Sequence, residues 1–257
     1  MLPYRISREG HTSLRLAVHV VPDGETLALR AAERISALCA EAVNRRGIFT
    51  LALSGGSTPL TLFRLLSRPE WRQRLVWERT RVFWADERCV GPDHEASNYG
   101  AAVRELLVHV RAGSVHRMHG EREPEAEARA YARTMLEAVP AGENGIPRFD
   151  CILLGMGEDG HTASLFPDSP LLTASDGELV AVARAKHLGD RPESRRLTLT
   201  LSVLNEARCC LFLVAGEAKR TPLRAALDLL APPRLPVQLV RPPRGELVWI
   251  VDEAACR

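Results

Sequence analysis

Five short runs of nearly pure apolar residues set the tightest limit on how this chain folds. They are IFTLALS (48–54), RVFWAD (81–86), FDCILLG (149–155), CCLFLVAG (209–216) and LVWIVD (247–252). Each is short for a helix, and none alternates polar with apolar residues. Such a run suits a strand covered on both faces, as in a parallel sheet. Between and around them lie segments with apolar residues at helical spacing: 25–47, 58–68, 98–110, 124–139 and 217–230. Weaker strand-like runs occur at 14–20, 178–184, 196–201 and 237–240. The alternation predicts a Rossmann-like α/β fold, a mostly parallel sheet with helices on both faces. No internal repeat or composition break divides the 257 residues, so one α/β domain over 1–257 is expected.

Composition excludes several function classes. A net charge of +2 gives no overall bias toward nucleic acid. Arginines are scattered along the chain, which reads as solvated surface rather than a binding stripe. Lysines number only two, Lys186 and Lys219. The six cysteines form no C-x-x-C pair and have no zinc-ligand spacing, so no metal is expected. No stretch has the parts of a signal peptide, and no apolar segment approaches ~20 residues. A cytoplasmic protein with no membrane and no nucleic-acid partner is expected.

Three glycine-rich or charged segments stand where strands should end. In LALSGGSTPLTLF (51–63), Gly55 and Gly56 allow unusual backbone angles, Thr58 is placed to cap a helix and Pro59 suits its first position. Ser54, Gly55, Gly56, Ser57 and Thr58 would then turn free N–H groups and a helix dipole toward one anion, phosphate being the usual guest. The alternative is a tight strand–helix turn. In FWADERCVGPDHEASNYG (83–100), Asp86, Glu87 and Arg88 either bond a sugar or hold a loop by internal bridges. Ser97-Asn98 read as a helix cap, and His94 as a surface residue. In GMGEDGHTASLFP (155–167), Gly155 and Gly157 let backbone approach a ligand. His161 can take a proton near neutral pH, and Asp159 either orients it or caps the turn. Two weaker signals complete the set. Lys219, just past a buried strand in VAGEAKR, sits where a helix dipole disfavours it, which hints at an anionic partner. Arg195 and Arg196 open a strand on opposite faces, so one of them at most reaches a common pocket.

Together these segments resemble the glucosamine-6-phosphate isomerase/6-phosphogluconolactonase family, over roughly residues 20–250. The strong anchors are SGGSTP (54–59), DERCVGPDHEASNYG (86–100) and GMGEDGHTASLFP (155–167); RRLTLT and GEAK are weaker. The resemblance implies the deaminase/lactonase-type fold and a phosphosugar lactone as substrate. The reaction implied is hydrolysis of 6-phospho-D-glucono-1,5-lactone, the second step of the oxidative pentose phosphate pathway. It also implies His161 as general base with Asp159 beside it, and a substrate site drawn from Ser54–Thr58, Asp86, Arg88, Gly157, Arg196 and Lys219. No cofactor is implied, and a monomer or a homodimer would serve. The chain departs from the family pattern at Gly91, where proline is common, and at Glu95-Ala96, where Pro-Asp is frequent. Both are loop changes. The sibling deaminase pattern continues after the histidine toward Asn-Glu-Pro and favours Asp-Glu-Tyr. Here Ser164-Leu165-Phe166-Pro167 and Asp-Glu-Arg stand instead, which favours the lactonase. A phosphosugar-sensing module of a regulator would need a DNA-binding segment, and none is evident before residue 20.

Overall fold

A computed structural model describes residues 15–173, 177–228 and 232–257. Seven strands form one sheet in the order β1-β10-β9-β6-β2-β3-β5, and every neighbouring pair runs parallel. They are β1 (Arg15–Val21), β2 (Phe49–Leu53), β3 (Thr80–Trp84), β5 (Ser114–Val115), β6 (Cys151–Leu154), β9 (Cys209–Val214) and β10 (Glu246–Asp252). The remaining three, β4 (Asp86–Arg88), β7 (Val180–Arg184) and β8 (Arg195–Leu199), form a small antiparallel sheet in the order β4-β8-β7.

Strand alternation splits the core in two. Phe49, Leu51, Leu53, Val82, Trp84, Cys151, Leu153, Leu211 and Leu213 pack on one face. That face is covered by α1 (Gly24–Arg46), α2 (Ser57–Leu66), the short α3 (Pro69–Arg72) and α4 (Asn98–Glu105). Ala52, Phe83, Ile152, Leu154, Cys210, Phe212 and Trp249 point to the other. There α5 (Pro124–Ala138), α6 (Leu201–Glu206), α7 (Arg220–Ala226), α8 (Glu253–Cys256) and the small sheet complete the cover. Both faces of the central strands are thus dry, which is why these runs lack polar alternation. The ends of α1 match its sequence signals: Asp23 accepts the Thr26 N–H at 2.7 Å, and Gly47 closes the helix at φ 75°.

Five expectations need correction. The helix read at 98–110 stops at Glu105, with a separate 3₁₀ turn at Leu107–His109. RVFWAD is not one strand: β3 ends at Trp84, and Asp86 starts a strand of the other sheet. The run 196–201 ends as a strand at Leu199, because Leu201 already opens α6. Residues 237–240 are no strand but part of a 3₁₀ turn over Pro236–Leu239. There the Gln238 side chain accepts the Arg234 and Leu235 N–H groups, closing a turn instead of a ladder. The helix read at 217–230 is shorter, a 3₁₀ turn at Glu217–Lys219 followed by α7, and residues 229–230 lie outside the described residues, as does Leu14 of the first strand.

Chain order reverses between β2 and β6. From β2 the chain builds outward through β3 to β5; from β6 it builds the other way through β9 and β10. A crevice opens at such a switch point, beyond the carboxyl ends of the strands. The glycine-rich loops after β2 and β6 meet there.

Candidate active site

A cavity of about 230 Å³ lies at this switch point. Its wall includes Ser54, Gly55, Gly56, Ser57, Thr58, Asp86, Arg88, Gly157, His161, Arg196 and Lys219. Segments far apart in sequence are therefore brought to one place. Asp159 is not part of the wall and reaches it only through His161.

The loop after β2 differs from expectation in detail. Helix α2 begins at Ser57 with Gly56 as its N-cap, at φ 103°. Thr58 is therefore inside the first turn, not the cap, and no side chain caps this helix end. Pro59, third in the helix, brings no N–H of its own. The first-turn amides of Ser57 and Thr58 thus stay available to an anion at the positive end of the helix. The Ser54 hydroxyl is already committed, donating to the Leu153 carbonyl at 2.7 Å, so it ties β2 to β6. A Cβ on Gly55 would sit 1.7 Å from the Asn98 side-chain oxygen. Glycine there lets Asn98 reach the cavity.

The loop after β6 is folded around its histidine. Gly157 N–H donates to the His161 carbonyl at 2.8 Å, and the Thr162 hydroxyl donates to the Gly155 carbonyl at 2.9 Å. Gly160 holds φ 79° to make the turn. The His161 Nδ1 lies 2.5 Å from Asp159 Oδ1, and the same oxygen accepts the His161 N–H at 3.1 Å. Asp159 thus does both things read for it: it orients the ring and closes the turn. With Nδ1 protonated toward the carboxylate, Nε2 carries the free lone pair. Burial alone would raise the Asp159 pKa, but the His161 N–H and the facing ring outweigh it and hold the carboxyl below its ordinary range. Gly157 is needed at this point, because a Cβ would lie 2.1 Å from His161 Nδ1. Phe166 packs against the imidazole, centroids 4.8 Å apart.

The DER triplet divides its labour. Glu87 holds the loop: its carboxylate accepts the N–H groups of Arg88, Asn98 and Tyr99 at 2.7–2.8 Å and the Ser97 hydroxyl at 3.1 Å. Ser97 caps α4 as expected, and His94 is exposed. Asp86 accepts the Ser164 hydroxyl at 2.7 Å. Arg88 and Arg196 face each other as register partners on β4 and β8. Arg88 donates to the Ala96 carbonyl, and among the described residues neither arginine has an ion pair within 4.0 Å. Burial and the nearby Arg88 lower the Arg196 pKa, against the pull of Asp86 and Glu87. Two guanidiniums side by side, one of them only 9% exposed, favour an anion between them. Arg195 points away and pairs with exposed Glu125 at 3.1 Å.

Lys219 is delivered by the turn after β9. Gly216, at φ 95°, donates its N–H to Asp252 Oδ1 at 3.0 Å, fixing that turn. Sequence reasoning missed Asn98 and Ala163 as cavity-wall residues, and Ser164 as the partner of Asp86. Asn98 was read as a cap, and the glycine opposite it was the available clue. Among the described residues no group of three or more His, Cys, Asp or Glu side chains is placed to hold a metal, and no helix is long and apolar enough to cross a membrane.

Fold and cavity define a class: open parallel α/β proteins with a charged, glycine-lined cavity at the switch point of the sheet. Comparison narrows it. Residues 22–249 match the family model described as glucosamine-6-phosphate isomerases/6-phosphogluconolactonase, and the chain belongs to that family. It is 38% identical over 242 residues to a 6-phosphogluconolactonase of Synechocystis, covering 93% of this chain and 96% of that one. Identity to a 6-phosphogluconolactonase of Haemophilus influenzae is 36%, over 80% of this chain and 86% of that one. The crystal structure of 6-phosphogluconolactonase from Leishmania guyanensis superposes with a TM-score of 0.82 at 30% identity, covering 93% and 96% of the two chains. A monomeric glucosamine-6-phosphate deaminase shares the fold, with a TM-score of 0.76 at 18% identity over 94% and 98%.

Proposed function

We propose that this protein hydrolyses 6-phospho-D-glucono-1,5-lactone to 6-phospho-D-gluconate, the second step of the oxidative pentose phosphate pathway. One observation carries the reading. A histidine whose Nδ1 is held by a carboxylate shares a cavity with buried Arg196 and half-buried Arg88, neither of which has an ion pair among the described residues. That is a base beside an anion pocket, and the named relatives are lactonases of such a substrate.

The phosphate is held by the amino end of α2 with Arg196 and Lys219, which fixes the distant lactone carbonyl for attack. His161 Nε2 takes a proton from water as the water oxygen bonds to C1. Asp159 steadies the imidazolium that forms. The tetrahedral oxyanion requires N–H or guanidinium donors, which this cavity supplies. Collapse breaks the bond from C1 to the ring oxygen, and His161 returns its proton to that oxygen. Water is the co-reactant throughout. Acid–base help of this kind contributes roughly 10²–10⁴ in rate.

The test uses lactone made fresh by glucose-6-phosphate dehydrogenase, its loss followed with wild type and with His161→Ala. Expected is an acceleration over spontaneous hydrolysis that falls roughly 10²–10⁴-fold in the variant, while 6-phosphogluconate still binds. No acceleration by wild type would overturn the lactonase reading. Release of ammonia from glucosamine 6-phosphate would move the assignment to the sibling deaminase.

A further inference from the structure

The opposite end of the sheet carries a second charged cavity, of about 180 Å³. It opens at the amino ends of β1, β10, β9 and β6, with the last turns of α1 beside it. Arginines scattered in sequence meet here. Arg15 opens β1, Arg148 lies three residues before β6 and Arg208 stands one before β9. Arg244 lies ahead of β10, and Arg34, Arg45 and Arg46 come from α1. Among the described residues these seven guanidiniums meet five carboxylates, an excess of two positive charges.

The carboxylates are also shared. Asp150 takes Arg46 at 2.6 Å and Arg208 at 3.3 Å, while its second oxygen accepts the Thr50 N–H and hydroxyl at 2.9 and 3.0 Å. Glu206 serves Arg244 at 2.9 Å and Arg148 at 3.8 Å. Glu246 pairs with Arg34, Glu143 with Arg244, and Glu41 with Arg45. Arg15 has no ion pair among the described residues. The Arg34 Nε–H is buried with no hydrogen-bond partner, and the Nε atoms of Arg148 and Arg208 face Glu206 and Asp150 at 3.8 and 3.3 Å without hydrogen-bond geometry.

An ion-pair web that merely tied the strand ends together would have balanced charge and filled donors. The α1 dipole, negative at this end, explains Arg45 and Arg46 in its last turn but not Arg34 further up the helix or the four arginines from other segments. We propose that this cavity is a second anion site, separate from the one at the carboxyl ends, which takes a phosphate dianion as the free ion or on a small phosphomonoester. Guanidinium forks match phosphate oxygens two at a time, and a residual charge of two matches a dianion. The space equals roughly six waters at about 30 Å³ each, room for a phosphate and a short substituent.

The site is read by calorimetric titration of the full chain with inorganic phosphate and, separately, with glycerol 3-phosphate. The proteins are wild type, Arg15→Ala/Arg208→Gln, and Lys219→Ala. Expected is a binding event that weakens roughly tenfold or more in the double variant, persists in Lys219→Ala, and leaves lactone kinetics of the double variant at wild-type values. The stronger of the two ligands identifies free ion or ester. Binding unchanged in the double variant, or no binding beyond what Lys219→Ala removes, would overturn the proposal. If the double variant does not fold, Arg15→Ala alone leaves no carboxylate stranded, and a tungstate soak of wild-type crystals reads the site directly. Tungstate between Arg148 and Arg208 supports it, and tungstate at the carboxyl-end cavity alone overturns it. The titration needs no turnover, so it stands whether or not the lactonase reading does.

Discussion

At the carboxyl ends of β2, β6 and β9 the chain presents backbone. Glycines at 55, 157 and 216 let loops close tightly, and the charged groups there are few and sparsely paired. At the amino ends of β1, β6, β9 and β10 it presents long side chains, seven arginines of which six pair with carboxylates and Arg15 with none among the described residues. The first end is built for geometry, where a few tenths of an ångström decide whether a base meets its water. The second is built for charge, where flexible guanidiniums adapt to a neighbour. The two should therefore fail differently when altered.

The largest effect is expected at the amino end and in stability. Asp150 is 4% exposed and holds two arginines. Asp150→Ala is expected to lose about 3–5 kcal/mol in a denaturant titration, with kcat/KM for the lactone unchanged while folded. A fall in turnover would show that the two ends are not independent. Next is Gly157→Ala at the carboxyl end. The added Cβ displaces the His161 ring, and kcat should fall about 100-fold with far less change in Tm than Asp150→Ala gives. A kcat within a few-fold of wild type would show that ring position matters little.

Arg196→Met should raise KM for the lactone roughly 10–100-fold, as expected when a charge-assisted contact of about 1.5–3 kcal/mol is lost. Because Arg196 faces Arg88 without a carboxylate of its own, the ligand-free protein should be no less stable. A clear loss of Tm would give Arg196 a structural role instead. Smallest is Asp159→Asn, expected to lower kcat about tenfold while KM holds. Folding depresses the Asp159 pKa below 3.8, so its pairing stabilises the fold fully above that value and ceases to as pH falls below it. The stability gap between wild type and Asp159→Asn should therefore close in acid; a gap constant from pH 6 to pH 2 would detach Asp159 from this titration.

The comparison also explains what the sequence could reveal. The carboxyl-end site was legible because glycine, a cap-like Ser/Thr and a lone histidine follow directly on apolar runs, so position along a strand fixes position in space. Even there the cap was read two residues out of place, at Thr58, since helix α2 starts at Ser57 with Gly56 as its cap, and cap preferences rank glycine and threonine about equally. The small antiparallel sheet was hidden because VAVAR and RLTLT announce strands without naming partners. The arginine cluster was read as scattered surface for the same reason. Residues 15, 34, 148, 208 and 244 become neighbours only once the order β1-β10-β9-β6 is known.

That order has a consequence for how the protein is made. Strand β1 pairs over its whole length with β10, from Arg15 opposite Glu246 to Val21 opposite Asp252. A ribosome adding roughly 5–20 residues per second needs about ten to fifty seconds between the two. Through that interval β1 has no partner from this sheet, and its Leu16, Val18 and Val20 form a bare edge. This edge of the sheet can therefore close only after β10 has been made, however early β1 itself emerges.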